Sequence, residues 1–298
     1  MLFINNKYEL NMNNIHTLII PDVHGRIFWK EAINKFPINE YPEINIVFLG
    51  DYLDPYDNYP KYLEGEGWSR RHTIDNFKEI IKLAKSDNRV HLLFGNHDMH
   101  YWYDARYKSR VDNKNYNKIK DLFLNNFNLF NVAFEETVND QKYLYTHAGV
   151  TSFWLNHLHS IGENGIRRNN EYRIDKFGNK VKQVSDEQLP FCKMLSKMTP
   201  TADELNQMKT NFQGQSNLWM VGYVRGGDYD YGSCIWADLE EWSSEYADIP
   251  GIYQIFGHTL FGGGSPDIAV IEPDGRKYAM LDSRKAWILD NDGKLLES

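Results

Sequence analysis

At 298 residues, 42% hydrophobic and 25% charged, the chain is long enough to bury a core without disulfide help and is not a disordered polymer. A formal charge of −8 excludes a protein that holds duplex nucleic acid through a broad basic face, although bound cations can reverse the local sign for a small phosphorylated ligand. Cys192 and Cys234 are too few for a disulfide framework, no run approaches a membrane span, and the N-terminus lacks a basic start, a long apolar run or a cleavage site, so a reducing, cytoplasmic setting is expected.

In chain order, His16 to Ile20 reads as a core strand that stops at Pro21 and places Asp22 and His24 just past its end. Ile27, Phe28, Ala32, Ile33 and Phe36 recur at helical spacing, so a helix is expected next, with its N-terminal turn toward those two residues. The apolar β-branched run Ile44 to Leu49 ends at Gly50, and Asp51 and Asp54 follow at once on a Pro-terminated loop. Residues 54–69 read as an ordered, aromatic-rich loop overhanging the site, followed by a helix with Ser69 as N-cap and Ile74, Phe77, Ile80, Ile81 and Ala84 facing inward. Val90 to Phe94 is a third strand, leading into a loop with Asn96, His97, Asp98 and His100, then a polar helix with Ile119, Leu122, Phe123 and Phe127 on its apolar side. Three β-then-α units in a row predict a parallel sheet.

Val132 to Val138 and Lys142 to Thr146 read as a hairpin turning at Asn139-Asp140, which delivers His147 and marks a change to antiparallel pairing. Within residues 151–250 the pattern predicts a helix at Phe153 to His159, a hairpin turning at Gly178-Asn179, and two helices parted near Pro200. This stretch reads as a cap inserted between two strands, within a single domain spanning 1–298. Ile252 to Phe256 is a strand ending at His258, and two closing hairpins turn at Asp274-Gly275 and at Asn291 to Gly293.

The strand-end residues Asp22, His24, Asp51, Asn96, His147 and His258 comprise two carboxylates, one amide oxygen and three imidazoles. Singly, each is a plausible cap or loop brace; three imidazoles at successive strand ends need a common reason. Mixed oxygen and imidazole donors suit divalent Mn, Fe, Zn or Ni, and the count suffices for two ions if Asp51 bridges. The glycine runs at residues 226–227 and 262–264 lack a P-loop's Gly-Lys-Ser/Thr ending and read as turns. Tyr52, Tyr56, Tyr59, Trp68, Tyr101 and Trp102 are either a stacking wall or loop packing.

The ordered set DVHG, GDYLD, GNHD, THAG and FGHT, spanning Asp22 to His258, resembles the calcineurin-like metallophosphoesterase superfamily, nearest its phosphoprotein phosphatase and diadenosine tetraphosphatase-like branch. The resemblance implies an α/β sandwich: two packed mixed sheets flanked by helices, with an inserted cap. It implies that Asp22 and His24 hold one metal, Asn96, His147 and His258 a second, and Asp51 both. His97 would protonate the leaving oxygen, with Asp54 orienting its ring, while a metal-bridging hydroxide attacks phosphorus. The implied function is hydrolysis of phosphate monoesters on a phosphoprotein or a phosphorylated small molecule, or of dinucleoside polyphosphates. A phosphodiesterase or nuclease, and a metal-binding scaffold without activity, are the alternatives. Pro55 and Tyr56 stand where phosphoprotein phosphatases carry a phosphate-clamping Arg after GDYVD, so Arg225 and Arg26 are the candidate substitutes.

Overall fold

The computed structural model describes residues 14–55, 70–103, 108–170, 172–174, 180–182, 189–195, 197, 199–244, 247–259 and 269–298. Three β-then-α units open the chain. They are β1 (Ile15–Ile20) with α1 (Phe28–Lys35), β2 (Asn45–Phe48) with α2 (Arg70–Ser86), and β3 (Val90–Leu93) with α3 (Asn96–Trp102) and α4 (Tyr116–Leu124). They lead into β4 (Phe130–Asn131), β5 (Ala133–Val138) and β6 (Gln141–Thr146). The insertion carries α5 (Ser152–Asn170), β7 (Tyr172–Ile174), β8 (Lys180–Lys182), α6 (Leu189–Leu195), α7 (Ala202–Met208), α8 (Phe212–Leu218) and α9 (Leu239–Trp242). The chain closes through β9 (Ile252–Phe256), β10 (Val270–Ile271), β11 (Tyr278–Met280), β12 (Trp287–Asp290) and β13 (Leu295–Glu297).

Six strands form one sheet in the order β13-β12-β1-β2-β3-β4, and five form a second in the order β10-β11-β9-β6-β5. In the first, β1 to β4 run parallel, as three successive β-then-α units require, and β12 and β13 join antiparallel at one edge. The expectation of an antiparallel second half is met only in part. β5 and β6 form the hairpin, with Asn139 and Asp140 both at positive φ as a tight primed turn demands, but β6 pairs parallel with β9, and β9 with β11. The inserted segment is what permits this, because a parallel return needs a long crossover.

The alternation of each strand decides the layers. Ile19, Val47, Leu49 and Leu93 of the first sheet meet Tyr145, Tyr253, Ile255 and Leu281 of the second, so the sheets pack face to face. Leu18, Ile20, Ile46, Phe48 and Leu92 point the other way, onto Ala32 and Phe36 and onto Ile74, Phe77, Ile80, Ile81 and Ala84, the inward set that the sequence assigns to α2. On the far face of the second sheet, Phe256, Tyr278 and Met280 are covered by Trp242 and Ala237 of the insertion. The result is two mixed sheets between helices. Leu205, Met208, Leu218 and Trp219 of the insertion join the same core as α2 and α4.

Several sequence-based expectations need adjustment. Ile27 is exposed and Trp29 takes the buried place, donating from Nε1 to Asn76. The segment holding Asn96, His97, Asp98 and His100 is the helix α3, not a loop. The helix expected at Phe153 to His159 runs on to Asn170. Ser69, most of the 54–69 loop and the Gly178-Asn179 turn lie outside the described residues.

One polar clamp crosses the interface between the sheets. The half-buried Glu136 on β5 accepts from Thr17 Oγ1 (2.6 Å) on β1, Asn45 Nδ2 (3.0 Å) on β2 and Tyr145 Oη (2.5 Å) on β6, with His16 Nε2 at 3.4 Å. Burial raises its carboxyl pKa, but these donors, His16 first, outweigh burial and hold it below the ordinary glutamate value of 4.5. A depressed folded-state pKa gives stability that is fully present above about pH 4.5 and is lost as the pH falls through the folded value. Glu136→Ala should therefore lower the unfolding free energy by roughly 2–4 kcal/mol at pH 7. In urea titrations its deficit relative to the wild type should shrink in acid; a deficit unchanged between pH 7 and pH 3 would count against this account.

Candidate metal centre

Every residue expected at the site comes from the C-terminal end of a strand, and both sheets contribute. Asp22 and His24 follow β1, Asp51 and Asp54 follow β2, Asn96 and His97 follow β3, His147 follows β6, and His258 follows β9. All eight are buried. His24, Asp51, Asp54 and His258 have φ between 44° and 70°, a left-handed backbone that costs a non-glycine residue about 1–3 kcal/mol. Such a concentration of strain marks a position set by function rather than by chain preference.

Two groups of side-chain atoms are close enough to hold an ion: Asp22, His24 and Asp51, and Asp54, His97 and His100. A third set completes the centre. Asn96 Oδ1, His147 Nε2 and His258 Nδ1 form a triangle with sides of 3.0, 3.0 and 3.1 Å, and His147 Nε2 lies 3.6 Å from Asp51 Oδ1 and 4.0 Å from Asp22 Oδ1.

The proton count shows what this arrangement needs. His147 Nδ1 donates to the Leu49 carbonyl (2.8 Å), which leaves its Nε2 as a bare lone pair facing Asn96 Oδ1, another acceptor. His258 can bring at most one proton to the triangle from Nδ1, and its buried Nε2 has no hydrogen-bond partner. His24 repeats the pattern, since its Nδ1 donates to the Leu53 carbonyl (2.8 Å) and its Nε2 faces Asp51 Oδ2 at 3.5 Å. Lone pairs directed at one another without protons between them are a site for cations. These donors therefore fit divalent metal.

The electrostatics agree. Burial pushes His24 down to about 3, and burial with the nearby Arg225 charge pushes His258 well down, so both rings are neutral donors. Burial and the neighbouring Asp51 push Asp22 up to about 7. Asp51 moves the opposite way, because the imidazoles of His147, His97 and His24 outweigh its burial. A divalent metal would compete with that proton for the carboxylate pair.

Glycine makes room for the cluster. A Cβ on Gly95 would lie 2.1 Å from Asp51 Oδ1, and one on Gly257 would lie 2.0 Å from Asp22 Oδ2. The Gly-Asn and Gly-His pairs are therefore steric requirements of the neighbouring carboxylates.

His97 sits at the start of α3, where its backbone N–H donates to Asp51 Oδ1 (2.9 Å) and its Nδ1 lies 3.3 Å from Asp54 Oδ2. Its ring edge packs on His24 with centroids 5.2 Å apart. Sequence reasoning missed what surrounds this pair. Asp54 also accepts from Tyr101 Oη (2.5 Å) and has His100 Nε2 at 2.7 Å, so the set that holds Asp54 recurs on one face of α3. Spacing of three from His97 would have shown His100 once the helix was recognised. Asp98 braces the loops, accepting from the backbone of Gly95 (2.8 Å), Asp51 (2.7 Å) and Tyr52 (3.0 Å).

The two arginines proposed from sequence part company. Arg26 is buried, and its guanidinium donates to the Val23 and Asp22 carbonyls, closing the first loop. Arg225 stands at the rim beside His258, paired with Asp238 and donating to Thr259 Oγ1 (2.9 Å). Tyr52 and Tyr101 are wholly buried in the core and Trp102 packs on Phe94, so these three do not form a stacking wall; Tyr56, Tyr59 and Trp68 lie outside the described residues.

Carboxylates and imidazoles gathered at the strand ends of two packed sheets define a metal-binding hydrolytic class of site. The chain belongs to the calcineurin-like phosphoesterase family, whose family model matches residues 15–260, and it is a metallophosphoesterase. Among solved structures it is similar to a protein serine/threonine phosphatase from Saccharomyces cerevisiae with similarity to human phosphatase PP5. That likeness covers 96% of this chain and 79% of that one, at 13% identity and a TM-score of 0.39. No curated protein sequence matches the chain. Among the described residues, no helix is long and apolar enough to cross a membrane.

Removing metal should leave the lone pairs of Asn96, His147 and His258 uncompensated. Dialysis against a chelator is expected to lower the thermal midpoint by on the order of 5–10 °C, reversibly on adding divalent metal. Gly95→Ala should lower the metal content measured by elemental analysis, and a full complement of metal in that variant would contradict the steric reading.

Proposed function

We propose that the protein is a dinuclear metal-dependent phosphatase acting on phosphate monoesters, carried by phosphoproteins or phosphorylated small molecules. The observation that carries this reading is the triangle of Asn96, His147 and His258 standing against Asp51, itself within reach of His24. Asp22, His24 and Asp51 would hold one ion, and Asp51, Asn96, His147 and His258 the other. The three donors stand 3.0–3.1 Å apart, close enough to share one ion, and mixed oxygen and imidazole donors suit divalent Mn, Fe, Zn or Ni. When bound, two such ions supply charge to the phosphoryl oxygens and acidify water for in-line attack.

The chain's own residues do the rest. Asp54 accepts from His97 Nδ1 and so directs Nε2 outward, the position from which an imidazole gives its proton to a leaving oxygen. Tyr101 and His100 hold Asp54 in turn; burial raises its carboxyl, but His100 and His97 outweigh burial and keep it below the ordinary carboxylate range. Arg225, beside His258, is the rim cation that would take a phosphoryl oxygen. A dinucleoside polyphosphate is the second substrate class, favoured by Tyr223 and Tyr229, which are 64% and 41% exposed on the same loop as Arg225 and offer faces on which a base can stack.

The test is hydrolysis of p-nitrophenyl phosphate and bis-p-nitrophenyl phosphate by protein refilled with Mn, Fe, Ni, Zn or Mg. Metal-dependent turnover of the monoester is expected. Asp51→Asn should abolish it, and His97→Ala should lower kcat by about 10²–10⁴-fold with metal content retained. Preference for the diester would transfer the assignment to a phosphodiesterase, and full metal loading with no turnover of either ester would leave a binding scaffold.

A further inference from the structure

The outward nitrogen of His97 already has a partner, which no sequence motif indicates. Arg110 Nη2 lies 2.9 Å from His97 Nε2. A guanidinium stays protonated and has no acceptor, so Arg110 donates and Nε2 is the lone pair. The proton on His97 therefore faces Asp54, and the site from which a proton would reach a leaving group is covered by a cation.

The position of Arg110 is fixed through the same network as His97. Asp112, two residues on, donates its backbone N–H to Tyr101 Oη (3.0 Å), the hydroxyl that donates to Asp54. Asp112 is also tied to Asn115 by a side-chain bond of 2.7 Å, and Arg110 itself holds φ at 53°, a left-handed conformation unusual for a long side chain. Its charge is felt at His24, which puts it within reach of the first ligand group. Arg225 lies by His258, on the side supplied by the second sheet. The two guanidiniums thus approach from different segments, one at His97 and one at His258.

We propose that Arg110 binds a phosphoryl oxygen of the substrate on the His97 side of the centre, and that its bond to His97 Nε2 is the resting arrangement that substrate replaces. This rests on the phosphoesterase reading above. A neutral imidazole is a weak acceptor compared with a phosphoryl dianion, which takes charge-assisted and often paired bonds from a guanidinium. On binding, Arg110 gives up Nε2 and takes the phosphoryl oxygen, so the same movement that fixes the phosphate uncovers the nitrogen that must reach the leaving oxygen. The uncovered Nε2 is a lone pair, so it takes a proton from water before it gives one to the leaving oxygen; phosphate recognition and the opening of Nε2 to protonation are then one event.

Orthophosphate is the probe, titrated calorimetrically into metal-loaded full-length protein, with metal content and thermal midpoint measured for each variant. Arg110→Met should weaken orthophosphate binding about tenfold to a hundredfold and raise KM for p-nitrophenyl phosphate. Arg110→Lys, which keeps charge without the planar fork, should fall between it and the wild type and carries the same test if the Met variant fails to fold. Orthophosphate affinity equal to the wild type in whichever variant folds would overturn the proposal, as would a kcat that rises with phosphate binding unchanged, the mark of a plug. Wild-type protein that hydrolyses esters alongside a variant with unimpaired phosphate binding would overturn the role of Arg110 alone. Wild-type protein that neither hydrolyses nor binds phosphate would sink the phosphoesterase reading together with it.

Discussion

The structure depends on lone pairs brought together without protons between them. Asn96 Oδ1, His147 Nε2 and His258 Nδ1 crowd to about hydrogen-bond distance, with at most one proton, on His258 Nδ1, to share among them. The carbonyls of Leu49 and Leu53, at and beyond the end of β2, take the Nδ1 protons of His147 and His24 and so fix each ring with its bare nitrogen inward. That choice of tautomer is made by backbone, which cannot rearrange while β2 is paired on both sides. Charge that the protein withholds must come from metal, and affinity for cations is built into the pairing of the central strands.

The same constraint explains why two sheets are needed. Asp22, Asp51 and Asn96 arrive from the first sheet, while His147 and His258 arrive from the second, so the donor set exists only where the sheets face each other. Parallel β6 and β9 bring both of their C-terminal ends to one edge, which an antiparallel meander would have placed at opposite edges. The long insertion between them is therefore a topological requirement before it is anything else. Left-handed backbone at His24, Asp51 and His258 is held by this frame, with Asp98 tying the ends of β2 and β3 together and Glu136 tying the sheets at a distance from the metals.

Much of this was legible in the sequence because strand ends announce themselves. An apolar run that stops at Gly50, Gly95 or Gly257 and is followed by Asp51, Asn96 or His258 can be read without coordinates, and three successive β-then-α units announce the parallel core of the first sheet. The proton arrangement was not legible, since it turns on which carbonyl lies beside which ring nitrogen. Nor was the parallel pairing of β6 with β9, because strand periodicity carries no direction. α3, NHDMHYW, is too short to show a helical stripe, which hides the face that sets His97 and His100 around Asp54. Arg110 belongs to no motif, so the sequence does not single it out.

The division between the legible and the hidden has a physical basis that bears on specificity. The donors lie on strand ends, where backbone pairing leaves one position for each side chain and the sequence must conform. The cations that face the centre lie elsewhere, Arg110 in the connection between α3 and α4 and Arg225 in a glycine-flanked turn of the insertion, held by Asp238 and Thr259. Connections of this kind can change length and charge without disturbing the sheets. If both guanidiniums take phosphoryl oxygens as proposed, a substrate would meet the metals through a fixed scaffold and be chosen by two separately built segments, so selectivity could be altered while the ligand set stands. It also follows that the residue after Asp54 is free to be Pro55: a guanidinium need only reach the same oxygen, and the chain offers approaches to it from more than one direction.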